Sequence, residues 1–238
     1  MSEKDLKGSL DTLAEGILYI VSTPIGNLED ITLRALRVLK EVDFVCAEDT
    51  RKTRILFNHY TIQTPLTSYF EHNEQLKTPG IIQALREGKK VAIVSEAGTP
   101  AISDPGYRLI SQAIKESIPV IPIPGPSAAI TALSISGLPV HRFAFEGFLP
   151  AKPGKRKNFI KKISFEDRTL IFYESPYRII DTIRDLKEIL GDRRAVLCRE
   201  ITKLYEEKLY GFLSTILDHI EKKKLKGEIT IIVEGKRD

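Results

Sequence analysis

The chain has 238 residues, 42% hydrophobic and 29% charged, with a formal net charge of +4. This is enough for one large or two small domains with real cores, while no run approaches the roughly 18 apolar residues of a membrane span and Met1 to Glu15 lacks the basic-then-apolar pattern of a secretory signal. Cys46 and Cys198 lie far apart with no CxxC spacing, which argues against a disulfide framework or a zinc site and for a reducing cytoplasm.

After a polar segment, 1–15, the first element is a strand at Ile17–Val21, which ends in the small, Pro- and Gly-containing loop from Ser22 to Asp30. Asp30 is placed to cap a helix whose stripe is Leu33, Leu36 and Leu39. A second strand, Phe44–Ala47, runs straight into Glu48-Asp49-Thr50-Arg51-Lys52-Thr53-Arg54, which reads either as a helix start or as a site. Asp49 suits a cap, whereas Arg51 and Arg54 oppose the dipole of a first turn. Leu66–Phe70 is a third strand, and Thr78 with Pro79 opens a helix carrying Ile81, Ile82 and Leu85.

The β-branched run Val91–Val94 is a buried strand that breaks into a loop with two glycines and two prolines, Ser95 to Gly106, before a helix at Tyr107–Lys115. Such a junction is either a plain βα turn or a ligand site at the carboxyl end of a parallel strand, where Gly98 would let a ligand reach bare backbone. Val120–Ile123 is a fifth strand, and Pro122 assigns it to an edge or an early end. Pro124-Gly125-Pro126-Ser127 then leads into a helix from Ala128 to about Ser136. Ser127 is either its cap or, with the free N–H groups, a ligand contact. Five strands alternating with helices predict an α/β domain, 16–137, with a mostly parallel five-stranded sheet. Gly137-Leu138-Pro139 marks the expected boundary.

The second half, 138–238, predicts a second α/β domain with a mixed sheet. Its strands are Arg142–Gly147, Thr169–Tyr173, Ala195–Cys198, Glu207–Phe212 and Glu228–Val233, and its helices lie between Ser175 and Leu190 and over Leu213–Lys223. Ser175 and Pro176 provide cap and first position for the former, and Gly191 stops it. A basic loop holds Lys152, Lys155, Arg156, Lys157, Lys161 and Lys162, and Lys222–Lys226 is a second basic run, either a solvated helix end or a contact. Basic clusters on a nearly balanced chain point to an anionic partner on one face. GxGxxG after the first strand, a P-loop, HExxH and GxSxG are all missing and the histidines are scattered, so neither a dinucleotide, nor a metal, nor a serine nucleophile is expected.

Five segments occur in order: Ser22-Thr23-Pro24-Ile25-Gly26-Asn27-Leu28, Ala47-Glu48-Asp49-Thr50-Arg51, Ala97 to Gly106, Pro124-Gly125-Pro126-Ser127-Ala128 and Glu146-Gly147-Phe148-Leu149-Pro150. Together they resemble the tetrapyrrole-methylase superfamily and, more narrowly, its ribosomal RNA branch, whose members methylate a cytidine 2′-hydroxyl in 16S rRNA of the small ribosomal subunit. The resemblance implies a cytoplasmic homodimer that binds S-adenosylmethionine in a cleft between two α/β domains. It assigns Pro24, Ile25, Gly26, Gly98, Thr99, Ile102, Ser127 and Ala128 of the first domain to the methyl donor, with Tyr173, Glu174, Thr202 and Thr230 of the second. Glu96 and Tyr177 depart from the family pattern, which commonly has aspartate and histidine at these positions, so a histidine base is not expected at Tyr177.

The implied reaction moves a methyl group from sulfur to the ribose oxygen. Asp49, with Glu48 and Glu174 as alternatives, is the expected proton acceptor. Arg51, Lys152, Lys155, Arg156 and Lys157 are the expected phosphate contacts. Two other functions are open: methylation of a corrin or uroporphyrinogen intermediate on the same fold, and a ribosome-assembly module without turnover.

Overall fold

The structure, a computed structural model, describes residues 16–237; the expected polar segment 1–15 lies outside them. The described chain divides into two compact units, one running to Pro24 and then from Leu28 to Pro126, the other made of Ile25–Asn27 and the residues from Ser127 onward. Among the described residues no helix is long and apolar enough to cross a membrane.

The first unit is built on β1 (Ile17–Val21), β2 (Phe44–Ala47), β3 (Leu66–Ser68), β4 (Lys90–Val94) and β5 (Val120–Ile123), in the order β3-β2-β4-β1-β5. Every pairing is parallel. The period-two alternation of β4 shows why two layers of helices are needed. Val91 and Ile93 point into the cluster with α3 (Glu74–Arg86) and α4 (Tyr107–Lys115). Ala92 and Val94 point into the opposite one, with α1 (Leu33–Glu41) and α2 (Thr50–His59). Fully burying a side chain such as Ile93 contributes roughly 1.5–3 kcal/mol. β5, with its exposed Pro122, is an edge paired only to β1, as a residue without an N–H requires.

The second unit contains α5 (Ala128–Ser134), β6 (Phe143–Phe148), α6 (Pro153–Lys162), β7 (Thr169–Glu174), α7 (Ile179–Leu190), β8 (Arg194–Arg199), β9 (Glu207–Phe212), α8 (Leu213–Ile220) and β10 (Ile229–Val233). Its sheet order is β6-β7-β10-β8-β9, mixed as expected: β6 and β7 are parallel and the remaining pairs antiparallel. Leu170, Phe172, Leu197 and Ile231 face α6, α7 and α8. Ile171, Val196 and Ile232 face α5 through Ala129, Ala132 and Leu133. The expected boundary near Gly137 is therefore corrected. α5 belongs to the second unit because its apolar stripe covers the open face of the second sheet, and the division falls between Pro126 and Ser127.

Local chemistry moves several expected boundaries. Thr32, not Asp30, caps α1, its hydroxyl accepting from Ala35 N–H at 3.1 Å, while Asp30 sits in a short 3₁₀ turn. α3 begins at Glu74, so Pro79 lies inside it rather than at its start, and Thr78 Oγ1 donates to the Glu74 carbonyl at 2.7 Å instead of capping. The basic stretch is helical from Pro153 to Lys162, with Pro153 in the first turn where its missing N–H does no harm. Ser175 accepts from Tyr177 N–H in a turn that precedes α7, which starts only at Ile179.

Candidate active site

In the first unit the loops leaving β1, β4 and β5 are bonded to one another. Thr23 and Gly98 exchange backbone hydrogen bonds of 2.9 and 3.0 Å, forming an isolated antiparallel bridge just past two parallel strands. Ser22 Oγ and Thr99 Oγ1 lie 2.9 Å apart, and Thr99 Oγ1 also reaches the Pro126 carbonyl at 3.3 Å. A Cβ on Gly125 would come within 2.9 Å of Ser22 Cβ, so this glycine is required by the closeness of the two loops. Gly98 has φ of 81°, and its N–H and C=O are both used by Thr23, so its backbone is bound rather than bare.

The loop that follows holds Ala101 and Ser103 at φ of 69° and 62°, left-handed conformations that cost non-glycine residues energy and gather at functional sites. Ile102 stands half exposed between them. One atom here is unexplained by the fold: Thr23 Oγ1 is buried with no hydrogen-bond partner among the described residues. An unmade bond to a buried hydroxyl costs about 1–3 kcal/mol. At the carboxyl end of a parallel strand it fits a polar group of a bound ligand. It stands directly before Pro24 in a segment singled out from the sequence, yet only the packing reveals its unmet hydrogen bond.

The second unit brings together others of the expected donor residues. Gly26 packs so tightly on the turn after β8 that a Cβ would fall 2.4 Å from the Lys203 side chain and 2.7 Å from Thr202 Oγ1. Thr202, at φ of 68°, accepts from Asn27 N–H at 3.1 Å, so its hydroxyl fixes the Ile25–Asn27 segment. Ser127 is the N-cap residue of α5 but makes no side-chain cap bond. Tyr173 receives a hydrogen bond from Ala129 N–H at 3.2 Å and lies beside Thr230 in the sheet, opposite it in register. Ala128 joins the same α5-facing cluster.

The three expected proton acceptors differ sharply. Asp49 caps α2; Arg51 Nη2 donates to its carboxylate at 2.9 Å, Arg51 Nε at 3.1 Å and the Arg51 N–H at 2.8 Å. These bonds hold its pKa down at about 2, which makes it a poor base, and they pair Arg51 with a carboxylate. Glu174 is buried; it accepts from Ser175 N–H at 2.7 Å and Thr182 Oγ1 at 2.6 Å and is paired with Arg178 at 2.6 Å. Its lone pairs are committed to holding the β7–α7 junction. Glu48 is half buried, and among the described residues its carboxylate accepts only the Glu96 N–H, at 3.0 Å. Burial raises its pKa above the ordinary value of 4.5, Lys52 opposing and Asp49 reinforcing the rise. Lys52 is itself paired with Glu96.

The expected phosphate contacts also divide. Lys152 and Lys155 are exposed, with no ion-pair partner among the described residues. Arg156, in contrast, is 3% exposed and paired with Asp185 at 2.6 Å, and Lys157 is bonded to Glu188 at 2.6 Å. Arg156 is corrected to a core residue that joins α6 to α7. No group of three metal-ligating side chains exists among the described residues. Burial pushes the thiols up, Cys46 to about 12 and Cys198 to about 11, so neither is a thiolate at neutral pH.

A family model described as Tetrapyrrole (Corrin/Porphyrin) Methylases matches residues 17–217. A Halalkalibacterium halodurans protein named ribosomal RNA small subunit methyltransferase I is 52% identical over 221 residues, covering 93% of this chain and 76% of that one. Proteins of the same name from Thermotoga maritima and Haemophilus influenzae are 51% and 49% identical, with 93% of this chain covered in each case and 99% and 79% of theirs. Among solved structures, uroporphyrin-III-C-methyltransferase from Thermus thermophilus shares the fold, with a TM-score of 0.64 at 22% identity over 91% of this chain and 94% of that one. On the strength of the model match and of identity near one half over almost its whole length, the chain belongs to the tetrapyrrole (corrin/porphyrin) methylase family, in the company of the ribosomal RNA small subunit methyltransferase I proteins.

Proposed function

We propose that this chain is a methyltransferase that uses S-adenosylmethionine to methylate the ribose 2′-hydroxyl of a cytidine in 16S rRNA of the small ribosomal subunit, acting as a homodimer in the cytoplasm. The observation that carries this reading is the 52% identity, over 93% of the chain, to a protein named for methylating small-subunit ribosomal RNA. The exposed Lys152 and Lys155 support an RNA substrate, since unpaired cations position phosphates without reading sequence.

The orphan Thr23 hydroxyl fits a polar group of the donor, and Pro24, Gly98, Thr99 and Ile102 stand with it. In the second unit Ile25, Gly26, Ser127, Ala128, Tyr173, Thr202 and Thr230 are the donor-binding residues of this reading. When bound, S-adenosylmethionine supplies a methyl group already activated by a positively charged sulfur. What remains for the protein is alignment, worth about 7–11 kcal/mol for well-oriented reactants, and a place for the hydroxyl proton. Glu48 takes that proton. Its carboxylate is left with an open acceptor site, and its raised pKa makes it a stronger base than Asp49.

Donor labelled in the methyl group, incubated with the protein and either small subunits from cells lacking this enzyme or uroporphyrinogen, is expected to label a single cytidine 2′-oxygen. Label appearing in uroporphyrinogen and not in RNA would replace this reading with the tetrapyrrole one. No transfer to either would leave a binding module.

A further inference from the structure

The parallel pair β6–β7 is irregular at one place. Phe145 pairs with Ile171, but Gly147, not Glu146, pairs with Phe172, and Phe148 pairs with Tyr173. Glu146 is an extra residue, and Gly147 takes up the kink at φ of 62°, a bulge of a kind that is rare between parallel strands and common beside active sites. In a regular strand Phe145 and Phe148 would point to opposite faces. The extra residue brings both onto the Tyr173 face. Their rings meet that of Tyr173 edge-to-face, with centroids 4.9 and 5.7 Å away. Tyr173 is itself held by the Ala129 N–H.

The outcome is an anchored row of three rings whose outer member, Phe148, is 56% exposed at the carboxyl end of the strand. An apolar ring in that position gains nothing for the core that a smaller side chain would not also give. Two residues past Pro150 come the unpaired cations, Lys152 and then Lys155, and Tyr177, 91% exposed, stands in the turn after the neighbouring β7.

We propose that Phe148 is a stacking platform for an unstacked nucleobase of the substrate RNA, with Lys152 and Lys155 receiving the adjoining phosphates. This rests on the RNA reading of the site. A flat π surface in a positively charged setting recognises single-stranded RNA, because every base offers a face to stack on and every phosphate a charge to neutralise. The bulge supplies the ring with a fixed orientation, and the edge-to-face contact with Tyr173 leaves the ring's outer side available to a base.

Phe148→Leu retains the apolar cover while removing the π face, and Phe148→Trp enlarges that face. Binding of a fluorescent single-stranded cytidine-rich oligoribonucleotide, followed by anisotropy, needs no turnover and so is independent of the proposed reaction. Phe148→Leu is expected to weaken it roughly tenfold and Phe148→Trp to restore it. In methyl transfer to small subunits, Phe148→Leu should raise KM for the subunit by a similar factor and leave kcat and the affinity for S-adenosylmethionine unchanged. Equal oligonucleotide binding by the wild type and Phe148→Leu overturns the proposal, as does failure of Phe148→Trp to recover the loss. Phe148-dependent oligonucleotide binding by a protein that transfers no methyl group would uphold the platform and reject the reaction.

Discussion

The two units each place a carboxylate at the carboxyl end of a parallel strand, just before a helix, and use it differently. At the end of β7, Glu174 is buried and saturated by Ser175, Arg178 and Thr182. At the end of β2 the work is split between neighbours. Asp49 takes the bonds of the helix start, and Glu48 is left half buried with a single donor. The difference teaches that position at a strand end does not make a carboxylate reactive. Its number of satisfied lone pairs and its desolvation do, because bonds to the charged form lower basicity while burial raises it.

The sharpest way to break this contrast is Glu48→Gln, which retains size and the Glu96 N–H bond but cannot take a proton. A loss of roughly 10²–10⁴-fold in kcat is expected, with an unchanged melting temperature. The pH dependence follows from the sign of the shift. Glu48 must be ionised to act, and its pKa is raised, so kcat should fall on acidification at a pH above the ordinary 4.5 of a glutamate, and the fall should vanish from the residual rate of Glu48→Gln. Full activity in Glu48→Gln would remove this residue from the mechanism. At Glu174 the expected damage is to the fold. Glu174→Ala strands Arg178 and unpairs Thr182, and breaking a buried pair from one side costs about 3–5 kcal/mol. Arg178 retains some solvent access, which places the loss at the lower end. Urea unfolding measures it. A variant as stable as the wild type but inactive would make Glu174 the chemical group after all.

The same contrast divides the basic helix α6. Replacing both Lys152 and Lys155 by Ala should reduce the slope of log affinity against log salt for a single-stranded RNA by about 1.4, since each phosphate neutralised contributes roughly 0.7. Arg156→Gln should instead lower stability, because Asp185 would lose its buried partner and keep only Lys157, at 3.5 Å. The two slopes, measured by titration at several salt concentrations, separate surface cations from structural ones.

Much of this architecture was legible in the residues. β4 is a short β-branched run, so a buried parallel strand was readable, and Pro122 announced an edge. The glycine- and proline-bearing loops were visible too, but not their reasons. Gly125 and Gly26 turn out to be demanded by protein neighbours, Ser22 in one case and Thr202 with Lys203 in the other, contacts between residues distant in the sequence that local pattern cannot supply. Arg156 failed for a related cause. In a run of like charges nothing local distinguishes the one side chain that turns inward to an aspartate on another helix. The boundary near Gly137 followed punctuation, whereas the alanine face of α5 chose its sheet by packing. Thr23 and the bulge at Glu146 depend on register and burial, which exist only once the strands are paired.

The smallest expected effect is the most telling for the β2 junction. Asp49→Asn removes the charge that Arg51 holds but keeps a side chain that caps helices about as well as aspartate. With its pKa already down at about 2, Asp49 is a carboxylate at every pH where the enzyme would be assayed, and its donors are bonds that an asparagine oxygen can accept in part. Turnover on small subunits should therefore stay within a few-fold of wild type at neutral pH. The sign for stability runs the other way from Glu48. A depressed pKa contributes stability that is present above the ordinary 3.8 and is lost as pH falls toward 2, so the variant should unfold slightly more easily than wild type at pH 7 and no more easily at pH 2. Thermal unfolding at the two pH values tests the cap, and turnover at pH 7 tests the base. A collapse of turnover with the stability difference intact would move the proton from Glu48 to Asp49.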